Sequence, residues 1–352
     1  MGMRLTAVCA AGLLLASTIG CKGEDPGRIA VFLPEDLGRW QDDARFFEEA
    51  FDEAGVEYEI KFCGRNYAVQ RSQFDVEIAA GTDVLILVSL DPDTGSDRIA
   101  DAREADRLVI DYDRLTTDGP GADLWVSFDN VAVGHLMGQT LEPVIDGLSL
   151  AQPQIVFLNG APTDNDATLV AEGYHEIADP RISASDWAVV ADEDVVDWDP
   201  AIAEALFEDI MEDANDEVDA IFAANDGIAG AVVGVLRNQS LDPKPLSGQD
   251  ATVEGLQHVI SGWQTMTVFK PIEEMAGLAA DAAIALLDGE AASSLTTNTY
   301  NNGENDIPHI KVPAVAVTAD NIEETVIAAG FRTWEEICVG EWAAFCPLEY
   351  QR

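Results

Sequence analysis

Short runs of apolar, largely β-branched residues recur along this chain, and a cluster of polar residues closes each of them. The runs at 28–33, 83–90, 155–159 and 218–223 are mostly apolar at successive positions, not at alternate ones. A strand apolar on both faces is buried on both faces, which is the condition of a parallel sheet covered by helices. Amphipathic stretches separate the runs. One is 40–54, where Phe46, Phe47, Ala50 and Phe51 fall on the apolar side. Alternation of this kind predicts an α/β chain.

The closing clusters point to where a ligand sits. They are Gly38-Arg39-Trp40, Asp111-Tyr112-Asp113-Arg114, Ser127-Phe128-Asp129-Asn130, Thr163-Asp164-Asn165-Asp166, Ala224-Asn225-Asp226-Gly227, Ser247-Gly248-Gln249-Asp250 and Phe269-Lys270-Pro271. In open α/β sheets, ligands bind beyond the carboxyl ends of the strands, and that is where these clusters lie. Carboxylates, amides, guanidinium groups, one ammonium and an indole supply both acceptors and donors. Such a set suits a neutral, polyhydroxylated molecule.

The elements fall into two βαβ-type halves. Strands at 28–33, 58–62, 83–90, 108–111 and 124–128 make the first; those at 154–159, 187–191, 220–223 and 245–247 make the second. Among the helices between them is 200–213, whose Pro200 falls in the first turn, where proline is tolerated. A strand at 265–270, a helix at 272–287 and a strand at 313–317 follow. These extra elements predict that the chain crosses back between the halves. The expected division is 1–20 a signal peptide, 21–27 a tether, 28–128 plus 265–310 a first lobe, 129–264 plus 311–331 a second lobe, and 332–352 a tail. The chain's 352 residues are enough for two sizeable cores.

Charge narrows the partners. The formal net charge is −46, from 65 acidic and 19 basic residues. Binding to nucleic acid or to anionic membrane surfaces through charge is excluded, and a solvated, self-repelling surface suited to salty surroundings is expected. There is no calcium-binding loop of the Asp-x-Asp-x-Asp-Gly type. At the N-terminus, Arg4 precedes an apolar stretch at 5–20 that ends in Ser17-Thr18-Ile19-Gly20-Cys21. This resembles a bacterial lipoprotein processing site, with Cys21 as the acylated residue; simple secretion is the alternative. Either way, the mature chain works outside the cytoplasm, in the periplasm or at the cell surface. In an oxidising compartment Cys338 and Cys346 can form a local disulfide, leaving Cys63 a buried thiol. No Cys-x-x-Cys pair occurs and His135, His175, His258 and His309 are scattered, so no metal site is expected. No cofactor-binding fingerprint is present either.

A family resemblance rests on longer strings. These are Arg39-Trp40-Gln41, Tyr112-Asp113-Arg114, Val126-Ser127-Phe128-Asp129-Asn130, Pro162-Thr163-Asp164-Asn165, Asn225-Asp226, Ser247-Gly248-Gln249-Asp250 and the run Gln264-Thr265-Met266-Thr267-Val268-Phe269-Lys270-Pro271. Through them the chain resembles the sugar-binding proteins of bacterial ABC transporters with the ribose-type two-lobed fold, most closely the D-xylose-binding ones. The match spans 28–331 and is most specific at 248–271.

The resemblance implies a periplasmic binding protein of type I, with two Rossmann-like lobes joined by several hinge crossovers and closing over one pyranose. It implies a monomeric, non-enzymatic receptor that hands its sugar to an ABC permease. It also implies a ligand set: Arg39, Trp40, Asp113, Arg114 and Lys270 with the first lobe, Asp164, Asp166, Trp198, Asn225 and Asp250 with the second. This chain departs from the pattern at Asp166, where the family has Asn, and at Gly38, which replaces a charged residue.

Each residue also has a structural explanation. Trp40 and Trp198 either stack on a sugar face or simply pack. Asp113-Arg114 offers an acceptor pair beside a donor fork, or a structural ion pair. Asn225 is expected at the ligand and Asp226 at a cap or hinge, while Asp250 can serve as both ligand contact and N-cap. Lys270 is one of five lysines. Asp164 and Asp166 could serve a glycoside hydrolase, but nothing marks either as the proton donor. A sugar-sensing lobe for a membrane receptor would use the same pocket. Four carboxylates against three cations predict that one carboxyl of the site has a raised pKa.

Overall fold

The computed structural model describes residues 27–37 and 39–351. The expected signal segment, Cys21, the tether up to residue 26 and Gly38 lie outside them. The first lobe begins with β1 (Arg28–Leu33), α1 (Arg39–Ala54), β2 (Glu57–Phe62), α2 (Tyr67–Ala80), β3 (Val84–Leu87), α3 (Pro92–Glu104), β4 (Leu108–Tyr112) and β5 (Leu124–Phe128). The second holds α4 (Asn130–Gly147), β6 (Gln154–Asn159), α5 (Asn165–Ser183), β7 (Ala188–Asp194), α6 (Pro200–Asp213), β8 (Ala220–Ala223), α7 (Asp226–Asn238), α8 (Val253–Ser261) and β9 (Thr267–Phe269). Then come α9 (Ile272–Leu287), β10 (Thr299–Asn301), β11 (Asp306–Val312) and β12 (Val315–Val317).

The unbroken apolar runs end up where their pattern requires. The first-lobe sheet has the order β2-β1-β3-β4-β5-β11-β10, with only β10 antiparallel to its neighbour. All residues of β3 and β5 are buried, because both faces are covered. On one face Phe47 and Phe51 of α1 and Met275, Ala279 and Ala283 of α9 pack on Val31, Ile86, Ile110 and Val126. On the other, Phe74 of α2 and Ile99 of α3 pack on Phe32, Leu85 and Leu87. Each fully buried side chain of this size contributes roughly 1.5–3 kcal/mol. Edge strand β2, Glu57–Phe62, alternates polar and apolar residues and has none fully buried, as a half-covered strand should.

The second lobe is built around the smaller sheet β7-β6-β8, so the two halves are not of equal sheet size. The expected strand at 245–247 contributes only one bridge, Leu246 to Ile221. Helices α6 and α7 cover one face through Phe207, Met211, Val232 and Leu236. Helices α4 and α5 cover the other through Met137, Leu141, Val170 and Tyr174. These last two touch backbone to backbone at Gly134 and Gly173. A Cβ on either would lie 2.1 Å from a carbonyl oxygen of the other helix.

The expected lobe boundaries need correction. Segment 265–270 does not return to the first lobe. Its strand β9 pairs antiparallel with β12, Val268 exchanges hydrogen bonds with the 248–250 loop, and Met266 and Val268 join the core around Phe157, Trp187 and Phe222. The chain re-enters the first lobe only with α9. It leaves again after Val312, which pairs with Phe128, so Lys311 and Val312 belong to the first lobe. The tail is part of the second lobe: Trp334, Ile337 and Cys346 bury against Leu256, Phe269 and Val317. Cys338 and Cys346 are bonded, with Cα atoms 5.9 Å apart. Cys63 is a buried free thiol whose Sγ donates to the Pro34 carbonyl.

Candidate ligand-binding site

Where the two lobes face each other, their loops enclose a cavity of about 180 Å³. All ten residues that the resemblance assigns to the ligand line it. The first-lobe contribution starts at the N-terminus of α1. Arg39 donates from Nη2 to Asp113 Oδ1 at 2.9 Å and from Nε to Asp43 Oδ2 at 3.2 Å. Asp43 is fully buried and also accepts from the Tyr112 hydroxyl. Burial opposes the charge on Arg39, but the carboxylates of Asp113 and Asp43 outweigh it and hold the guanidinium pKa well above its usual value. The guanidinium carbon also lies 4.6 Å from the centre of the Trp40 ring. Trp40 is only 7% exposed and belongs to the first-lobe core, yet it lines the cavity with what remains.

Asp113 and Arg114 follow β4 directly. The Asp113 carbonyl accepts from Trp125 Nε1 at 3.0 Å and its N–H donates to Val126, which fixes the loop from behind. Arg114 reaches across the cleft, its Nε 3.3 Å from Asp164 Oδ2.

On the second lobe, Asp164 caps α5. Its Oδ1 accepts from the Asp166 N–H at 3.0 Å, and its Oδ2 accepts from Trp198 Nε1 at 3.2 Å. Trp198 lies flat over Gly160, where a Cβ would come within 2.2 Å of the ring. Asn225 caps α7 through Oδ1, which accepts from Ile228 N–H, and this leaves its Nδ2 to the cavity. Asp226, one residue on, faces away. It accepts from Gln264 Nε2 and from the Thr252 N–H, and burial pushes its carboxyl up to about 7. Asp250 is not the N-cap of α8; Thr252 is, through Oγ1. Asp250 instead pairs with Lys270 Nζ at 2.8 Å.

Three ion pairs thus use the three expected cations, and Asp166 has none. Its Oδ1 is buried with no hydrogen-bond partner. Burial, then the carboxylates of Asp164 and Asp113, push its carboxyl well above the usual range; Lys270 and Arg114 pull the other way and lose. Four lining residues also hold left-handed backbone: Arg65 at φ 54°, Asp113 at 65°, Trp198 at 56° and Asp250 at 97°. Strained residues of this kind gather at functional sites.

The cavity wall includes residues that the sequence reading did not single out. Asn130 and Gln249 sit inside two of the quoted clusters, and Gln249 keeps a buried Oε1 without a partner while Nε2 donates to the Ala224 carbonyl. Arg65 follows β2 and pairs with Glu35. The rule of carboxyl strand ends would have found it.

A family described as a periplasmic binding protein domain matches residues 29–291. The D-xylose-binding periplasmic protein of Escherichia coli is 32% identical over 302 residues, covering 86% of this chain and 89% of that protein. A carbohydrate transporter solute-binding protein from Chloroflexus aurantiacus, solved in complex with D-glucose, is 30% identical; it superposes with a TM-score of 0.79 over 88% of this chain and 97% of its own. An ABC transporter solute-binding protein from Clostridium phytofermentans shares the fold with a TM-score of 0.81, at 24% identity, over 88% of this chain and 99% of its own.

Proposed function

The chain belongs to the periplasmic binding protein family, and from that membership we propose that it is an extracytoplasmic receptor for one monosaccharide, D-xylose first, which it delivers to an ABC transporter permease. Members of this family are solute-binding proteins, not enzymes. The observation that carries the proposal is the composition of the cavity: two indoles, three ion pairs and three amides around a space of about 180 Å³. That is small beside the roughly 300–1,000 Å³ of common ligand sites, and it suits a single sugar ring. Indole faces take the C–H faces of the ring, and the paired carboxylates and cations take its hydroxyls as acceptors and donors. D-xylose is placed first because of the E. coli relative; D-glucose, held by the C. aurantiacus protein, is the next sugar to try.

Closure of the lobes around the ligand is the way such receptors work. Arg114 and Asp164, which meet across the cleft, are the pair that this motion would make and break. Trp40 and Trp198 stand on opposite lobes, so saturating D-xylose should change the intrinsic fluorescence. A spectrum that stays the same with every pentose and hexose tried would end this proposal. The anchor belongs to it as well. Cys21, with its upstream apolar stretch, is proposed to carry the lipid, and an unacylated N-terminal peptide in mass spectra of exported protein would refute that.

A further inference from the structure

We infer that Asp166 meets its ligand as a neutral carboxylic acid, so that closing the cleft over a neutral sugar takes up one proton from solvent. The inference rests on the sugar-receptor reading above and names how the same site handles its surplus charge. Every cation on the cavity wall is already engaged. Arg39 lies 2.9 Å from Asp113, Arg114 3.3 Å from Asp164, Lys270 2.8 Å from Asp250, and Arg65 2.6 Å from Glu35. Asp166 lines the same cavity with Oδ1 buried and unpartnered, although the residue as a whole keeps some contact with solvent. Its own N–H is occupied by Asp164 Oδ1 and gives its carboxyl no help.

The groups that face Asp166 come from three parts of the fold. Asp164 stands at the same helix start, Asp113 and Arg114 come from the loop after β4, and Lys270 comes from the crossover after β9. The two carboxylates and burial together outweigh the two cations, both already paired elsewhere. The N-terminus of α5 favours a negative charge, but by no more than the first-turn dipole can supply. A neutral sugar brings no countercharge and displaces water. An ionised carboxylate without a partner in such a place neutralises itself instead. In the open, solvated cleft the same carboxyl is ionised near neutral pH. Closure therefore adds a proton to one Asp166 oxygen, and the new O–H donates to a ligand oxygen. A sugar hydroxyl can accept that bond as readily as it can donate one.

The sign of the pH effect follows. The bound form has the higher pKa, so affinity is full at acidic pH and falls as pH rises between the open and closed pKa values, by up to about tenfold per unit for one proton. The test is calorimetric titration of D-xylose and D-glucose into the mature chain, in two buffers of different ionisation enthalpy, from about pH 5 to about pH 8.5. We expect uptake approaching one proton near neutral pH and weaker binding at the alkaline end. Asp166→Asn should take up none, give a flat pH profile and bind more tightly than the parent at the alkaline end. Sugar binding with equal heats in both buffers and no pH dependence would overturn the inference and leave the receptor reading intact. So would loss of binding in a folded Asp166→Asn protein, or D-glucosamine binding more tightly than D-glucose without proton uptake, which would mean that the ligand supplies the missing cation. No heat with any sugar fells both readings.

Discussion

Trp40 shows how one residue at this site answers to two demands. It is packed into the first-lobe core and capped by Arg39, and its remaining surface faces the cavity. Stacking and packing were competing explanations in the sequence; the packing is present, and the surface left on the cavity wall is what a sugar face would meet. Trp40→Ala should therefore weaken sugar binding by about 1–3 kcal/mol, the scale of a large apolar side chain, and also lower the denaturation midpoint. Titration and urea unfolding of the same variant separate the two effects, and an unchanged affinity would reduce Trp40 to core. Polar clusters at the ends of apolar runs made most of the wall legible, since a buried strand has to deliver its loop at the carboxyl edge. Arg65 escaped because it follows β2, an edge strand in which polar and apolar residues alternate, so no unbroken apolar run drew attention to its end. The pairing of charges was not legible either. Which carboxylate is left without a cation depends on distances across two lobes.

Helices and strands were easier to place than to assign to a lobe. Helices α1, α6 and α9 and strands β5, β6 and β8 fall within a residue or so of where periodicity and burial put them. Strand β9 was given to the wrong lobe for a physical reason. Three residues buried on both faces fit any covered sheet, and only the pairing with β12 and the 248–250 loop decides where they go. At the element scale, the start of α6 and the end of β6 meet at Trp198 over Gly160. Gly160→Ala places a methyl group inside the ring's contact distance and must push the indole away. Overpacking of this kind costs roughly 1–3 kcal/mol. The variant should lose stability by about that much and bind sugar more weakly, although residue 160 is not on the cavity wall. Equal dissociation constants for variant and parent would mean that Trp198 is not a wall of the bound-sugar site.

The whole molecule carries a net charge of −46, and self-repulsion on that scale opposes the compact state. Most of its acidic groups have no basic partner to meet, because there are only 19 basic residues. Self-repulsion between exposed carboxylates is screened by salt, with a Debye length near 10 Å at about 0.1 M and near 3 Å at about 1 M. The melting temperature should therefore rise steadily with sodium chloride over that range, and a melting temperature that falls or stays level would show that the surface charge is not destabilising. The ligand site should be less sensitive, since its ion pairs are largely shielded from solvent. Whether this two-lobed chain closes on one small sugar is decided by calorimetric titration of the mature chain with a panel of pentoses and hexoses. One-to-one saturable binding is the predicted result, with D-xylose among the tightest ligands. Absence of heat and of thermal stabilisation with every monosaccharide in the panel would contradict it.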